Sequence, residues 1–176
     1  MTWKRLSRKT EFTCPYYQIH HDRVVTHANQ ELDYYLVDVA PSVAIIAVTD
    51  TQEMLLIHQY RYPGQDYFLE APGGSAEGGD LLDAAKRELQ EEVGIAASAW
   101  EKLGSYYPYD GICSDECHVF LATGLSSALV DREASEEIEV QKVPIAHIQQ
   151  MIREGKFRDG QTMAALALYF AFHDHL

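Results

Sequence analysis

Two long apolar stretches, SVAIIAVTD and EMLLIHQYRY, are separated by Asp50, Thr51 and Gln52. Apolar runs of this length divided by turn residues predict a buried β-hairpin. Upstream, residues 1–40 carry alternating and aromatic runs, among them YYQIHHDRVVTH and LDYYLVDVA, which predict further strands. The pattern changes after the glycine-rich loop FLEAPGGSAEGG. Asp80 is a good N-cap for a helix running through Val93, and Gly94 ends it. Beyond it, CHVFLATGL and EIEVQKVPI are strand candidates. Pro144 opens a short helix with Ile145, Ile148 and Ile152 at helical spacing, closed by Gly155, and a last helix follows Asp159 and Gly160. Together these elements predict an α+β fold, with a mixed β-sheet in an α/β/α sandwich rather than alternating βαβ units. A β-rich N-terminal extension over residues 1–40 precedes a main domain over residues 41–176.

The helix after the glycine loop has an unusual polar face. At about 100° per residue, Leu82, Ala85, Leu89 and Val93 form the buried stripe, and Glu88, Glu91 and Glu92 fill the arc beside it. Lys86, Asp83 and Gln90 point elsewhere. Like charges one turn apart repel by roughly 0.2–0.5 kcal/mol a pair, and anions near a helix C-terminus oppose the macrodipole. A solvated acidic face is the ordinary meaning of several glutamates on a helix, but such a face gains nothing from this arrangement. A bound hard cation reverses the sign. Mg²⁺ or Mn²⁺ takes carboxylate oxygens together with water and substrate phosphates, so the repulsion becomes affinity. The upstream glycines let a backbone carbonyl approach the same ion.

Charge and composition narrow the partners. The chain has 176 residues, enough for one domain with a proper core, and 47% of them are hydrophobic, which argues against disorder. A net charge of −13 argues against a broad nucleic-acid backbone partner, whereas a small phosphorylated ligand remains compatible where divalent cations invert the local field. The basic N-terminus, MTWKRLSRKTEFTCPYY, is not followed by an apolar stretch of signal-peptide length. The longest apolar runs, VAIIAV and AALALYFAF, fall short of the ~20 residues that cross a bilayer, so no membrane partner is expected. Cys14, Cys113 and Cys117 are odd in number and none lies in a CxxC pair. Cys113, Cys117 and His118 could ligate a metal, but packed, reduced cysteines are favoured, as in a reducing cytoplasm.

One motif carries a family resemblance. RELQEEVGI, Arg87 to Ile95, matches the second half of the Nudix box, Arg-Glu-aliphatic-x-Glu-Glu-x-Gly-aliphatic, and is preceded by PGG and a helix start. In the first half, counting back from Arg87 puts Gly73 at the family's glycine but Gly79 where a glutamate belongs. With a loop one residue shorter, Gly74 and Asp80 take those places. That glutamate chiefly supports the arginine in the family. WKRL, CPYYQI and DYYLVD resemble the N-terminal extension of the ADP-ribose pyrophosphatase branch. MLLIHQYRYP, FLEAPGG, GICSDECHVFLATGL, EEIEVQKVPI and IREGKFRDGQTMAALAL resemble its later segments, over nearly the whole chain.

The resemblance implies a Nudix-type sandwich that hydrolyses a nucleoside diphosphate linked to another moiety: ADP-ribose or a related nucleoside diphosphate sugar, giving AMP and ribose 5-phosphate from ADP-ribose. The alternatives are another Nudix substrate, such as a GDP-sugar or a dinucleoside polyphosphate, or a Nudix-fold ligand-binding module without catalysis. By the same resemblance Glu88 and Glu92 are the main Mg²⁺ ligands (Mn²⁺ as substitute), Glu91 joins or supports them, and the Gly73 carbonyl completes a site. A further glutamate of DREASEEIEV, Glu136 in preference to Glu137, positions or deprotonates the attacking water. Arg61, at the end of a strand, is either an ion-pair partner or a phosphate contact, and the family uses the position for substrate. Ser114, Asp115 and Glu116, on a loop after a glycine, read either as a rim for ribose hydroxyls or as a plain turn, and Asp110 stands where the family usually has proline. Trp3, Tyr16, Tyr17, Tyr34 and Tyr35 are the aromatics available to the base. The N-terminal segment is expected to form a homodimer in which each site draws on both chains.

Overall fold

In the computed structural model, which describes residues 2–129 and 137–173, the SVAIIAV run forms a strand buried along nearly its whole length. It is the fourth of ten strands, β1 (Lys4–Thr13), β2 (Gln18–Val25), β3 (Glu31–Asp38), β4 (Ser42–Val48), β5 (Glu53–Arg61), β6 (Asp66–Glu70), β7 (Gly73–Ser75), β8 (Ile95–Tyr106), β9 (Cys117–Ser127) and β10 (Ile138–Pro144). The helices are α1 (Leu81–Glu88), α2 (Ile145–Arg153) and α3 (Gly160–Phe172).

These elements fall into two compact units. One combines Met1–Pro41 with Tyr107–Glu116, and the other combines Ser42–Tyr106 with Cys117–Leu176.

The larger unit is built on a sheet of order β10-β5-β4-β9-β8, with β6 paired to β5 and β7 to β4. The β4–β9 pair is parallel and the other pairs are antiparallel. A strand covered on both faces needs apolar residues at every position, because successive side chains point to opposite sides. Val43, Ile45 and Ala47, with Leu55 and Ile57 of β5, pack against Ala84, Ala85, Leu89 and Val93. Ala44, Ile46 and Val48, with Met54 and Leu56, pack against Ile145, Ile148, Ala165, Leu166 and Tyr169 of α2 and α3. Helices therefore cover both faces, and the result is the expected α+β sandwich. β4 and β5 form the expected hairpin, closed by a Thr49 N–H to Glu53 carbonyl bond at 2.9 Å.

One element departs from expectation. The α-helix begins at Leu81 beneath an Asp80 N-cap but ends at Glu88 rather than Val93. Leu89 to Val93 wind as a π turn, closed by Gly94 at φ 72°. Each π hydrogen bond spans one more residue than an α bond and widens the turn; the widened segment carries Glu91 and Glu92.

The smaller unit is a three-stranded antiparallel sheet, β1-β2-β3. Its buried side chains on β2 are mainly polar, His20 and Asp22 beside Val24. Arg8 forks onto Asp22 with two bonds of 2.8 Å, while the His20 Nε2 lies 3.2 Å from Asp38. The Tyr107–Glu116 segment joins this unit through the Val37 N–H to Ile112 carbonyl bond and the Ser114 N–H to Val37 carbonyl bond, 2.8 and 3.0 Å. The Tyr34 hydroxyl donates to the Gly111 carbonyl.

Candidate active site

The acidic helix and the glycine loop meet through specific atoms. β7 lies antiparallel to β4, with Gly73 opposite Ala44 and Gly74 opposite Val43. Glu92 is buried, at 5% exposure, and accepts the Gly73 N–H at 2.8 Å. The Glu88 carboxylate lies against Gly74: a Cβ there would stand 2.5–2.7 Å from its carboxyl atoms, closer than real contacts allow. A side chain at Gly74 would displace that carboxylate, whereas at Gly73 a Cβ would stand 2.2 Å from the Val43 carbonyl oxygen, so Gly73 is the position that backbone packing requires to be glycine. Two carboxylates from successive turns thus address adjacent residues of one backbone segment. Gly73 meets Glu92 through its N–H.

Arg87 organises the outer side of this cluster. Its guanidinium lies 2.8 Å from Glu88, donates to Glu91 at 2.9 Å and donates to the Ser75 carbonyl at 2.9 Å. Partial burial opposes its charge, but Glu88 and Glu91 outweigh that and hold it protonated beyond its ordinary range. Asp80 takes no part in this pairing in the described contacts. Its carboxylate caps the helix by accepting the Leu82 and Asp83 N–H groups at 2.9 and 3.2 Å. The acidic position before the helix is therefore spent on the N-cap, and the arginine takes its support from the helix itself.

Among the described residues no three His, Cys, Asp or Glu side chains stand close enough together to hold a metal ion. As the side chains stand, Arg87 engages Glu88 and Glu91, and Gly73 engages one oxygen of Glu92. The donor set is nonetheless made of carboxylate oxygens, which suits a hard divalent cation. Glu88 and Glu92 already flank one short backbone segment.

Arg61 ends β5 on the same sheet face. Its Nε donates to both Glu70 oxygens at 3.1 Å and its Nη2 to Oε2 at 2.6 Å. Gln59 donates to the same Glu70 Oε2 at 2.9 Å. Burial opposes the arginine's charge, yet the Glu70 bond and the charges of Glu70, Glu92 and Asp159 raise its pKa. Glu70 and Gln59 were not singled out from sequence. The available sign was Gln59 itself, a polar residue at the inward phase of Leu55 and Ile57.

In the smaller unit the Ser114 hydroxyl donates to Asp38 at 2.9 Å and accepts the Val39 N–H at 3.0 Å. Tyr107 donates to Glu116 at 3.3 Å, and that negative charge raises the phenol pKa. The Asp115 N–H faces the Cys113 sulfur at 3.5 Å. Asp110 is exposed. Of the candidate base-stacking aromatics, Trp3 packs edge-on against Tyr34 and Tyr35 stacks on His21, while Trp3, Tyr16, Tyr17 and Tyr35 are all exposed. Glu136 lies outside the described residues. Among the described residues no cysteine forms a disulfide, and Cys117 is buried.

A family model for the NUDIX domain matches residues 38–166, most of the chain and the whole of the acidic helix and glycine loop. The chain belongs to the Nudix family. Its relatives place it on the ADP-ribose pyrophosphatase branch of the Nudix hydrolases. It is 32% identical over 128 residues to an ADP-ribose pyrophosphatase of Bacillus subtilis (strain 168), a match covering 71% of this chain and 69% of the relative. It is 26% identical over 174 residues to the ADP-ribose pyrophosphatase of Mycobacterium tuberculosis (strain ATCC 25618 / H37Rv), covering 93% and 81%. The fold superposes on a crystal structure of an ADP compounds hydrolase with a TM-score of 0.86 at 20% identity, covering 98% of this chain and 94% of the other. No described helix of this Nudix chain is long and apolar enough to cross a membrane.

Proposed function

We propose that this Nudix hydrolase cleaves the pyrophosphate bond of ADP-ribose or a related nucleoside diphosphate sugar, releasing AMP and ribose 5-phosphate from ADP-ribose. The observation that carries the reading is the convergence of Glu88 and Glu92 on Gly73 and Gly74. Glu88 and Glu92, with Glu91 in support and the Gly73 carbonyl nearby, would hold Mg²⁺, or Mn²⁺ in its place. Bound there, the cation neutralises pyrophosphate charge and lowers the pKa of water.

The chain's own groups do the rest. Arg61 presents a planar fork suited to a phosphate. Glu136 is the proposed base that orients the attacking water and takes its proton. Ser114, Asp115 and Glu116 are the proposed contacts on the ribose side, and an aromatic residue of the N-terminal segment stacks on the base.

A homodimer fits the N-terminal sheet. β1 is exposed along all ten residues, with Leu6 and Phe12 about half exposed, and a sheet of three strands without an apolar core gains most from a second surface. Sedimentation of the purified protein should give twice the chain mass.

The deciding test of function is product analysis. Purified protein with ADP-ribose and Mg²⁺ should release AMP, and EDTA should stop the release. Absence of turnover with every nucleoside diphosphate sugar in a panel would sink this reading.

A further inference from the structure

Gln59 and Glu70 are polar side chains at positions where the sheet buries apolar ones. Along β5, alternation places Leu55, Ile57, Gln59 and Arg61 on the face covered by α1. β6 pairs Glu70 opposite Ile57, which turns Glu70 to that face too, while Leu69 packs on the other. Gln59 and Glu70 are only 6% and 5% exposed. Burying a carboxylate and an amide costs more than a surface ion pair returns, so a chain needing only to tie down a surface arginine would do better with a solvated acid.

The geometry shows what burial achieves. Glu70 accepts from the Nε and Nη2 edge of Arg61, and Gln59 fixes Glu70 from behind. The arginine is thereby pinned along one edge. Its Nη1 makes no hydrogen bond among the described residues, and the side chain remains 49% exposed. A guanidinium held by one edge offers its outer N–H groups to a planar or tetrahedral anion without first losing rotamer freedom. The charges of Glu92 and Asp159 also bear on Arg61.

We propose that Glu70, braced by Gln59, is a positioning residue that holds Arg61 ready for a phosphate of the nucleoside diphosphate. This rests on the pyrophosphohydrolase reading above for its reaction, but only on the β5–β6 contacts for its geometry.

The test is a double-mutant cycle of Arg61→Ala and Glu70→Gln, read in two ways in Mg²⁺: steady-state hydrolysis of ADP-ribose, and calorimetric binding of ADP. Glu70→Gln should raise KM and weaken ADP binding about tenfold, the scale of one charge-assisted hydrogen bond, with kcat changed much less. The double variant should be no worse than Arg61→Ala alone. Gln59→Leu, which leaves Glu70 in place but unbraced, should give the same pattern more weakly. Additive losses overturn the proposal, as does a lowered melting temperature with KM and ADP affinity unchanged, or a wild type that does not bind ADP. A wild type that binds ADP with the expected cycle but hydrolyses no nucleotide sugar overturns the proposed reaction and leaves the positioning role standing.

Discussion

On the proposed reading Glu92 combines two jobs that substitution can separate. One oxygen accepts the Gly73 N–H, an interaction a glutamine carbonyl can keep, while the charge is what a cation or a developing transition state requires. Glu92→Gln should therefore leave thermal unfolding nearly unchanged and lower kcat by about 100-fold or more, the scale for loss of one electrostatic stabiliser. Gly74 makes the opposite case. A methyl group there would push aside the Glu88 carboxylate, the far end of a flexible side chain, so Gly74→Ala should cost at most about 1 kcal/mol in urea unfolding, the low end of overpacking. It should cut activity as well, since Glu88 must move; full activity with unchanged stability would contradict the close approach. The negative charge on this helix was visible in the sequence because it violates a helix's own electrostatics. The Glu70 clamp was not singled out, since a glutamate in FLEAPGG gives no sign of its depth until β6 is placed beside β5.

Among the elements, those with strong patterns were legible. β4 and β5 read as apolar runs because both faces of the sheet are covered. α2 and α3 announced themselves by Pro144 and by Asp159, whose carboxylate accepts the Thr162 N–H at 2.6 Å. β8 did not, because IAASAWEKLGSY mixes small, polar and charged residues on a largely exposed strand. The π turn was equally hidden, since Leu89 and Val93 lie on the apolar stripe in either winding.

The β1–β2 pair carries its own pH dependence. Arg8 bonding holds the buried Asp22 carboxyl below the usual carboxylate range, against the opposing effect of burial. A carboxyl depressed on folding stabilises the protein fully above its unfolded value of about 3.9 and loses that contribution as pH falls through the lower, folded value. Asp22→Asn should thus be less stable at neutral pH by about 1–3 kcal/mol. It should also lose less on acidification below about pH 4, as measured by denaturant unfolding at pH 6 and pH 3. Parallel pH curves for the two proteins would show that the Arg8 pair contributes nothing.

At the scale of the whole molecule, the sandwich followed from periodicity, but the membership of the two units did not. Residues 107–116 are ordinary linkers in sequence, between β8 and β9, and only the structure assigns them to the N-terminal sheet. The assignment is non-local: Val37 and Tyr34 bond residues more than seventy positions away. Pattern reading has no access to pairings of that kind.

That split has a consequence in time. The smaller unit is completed only once β8 and β9 have closed the segment between them, and non-local closure is the slow kind. The chain has two tryptophans, Trp3 against Tyr34 in the smaller unit and Trp100 on β8 in the larger. In stopped-flow refolding, a Trp100→Phe variant, which reports Trp3, should lag behind a Trp3→Phe variant, which reports Trp100. Equal rates would mean that both units fold in one cooperative step. During synthesis the first three strands emerge long before residues 107–116, which belong to the same unit.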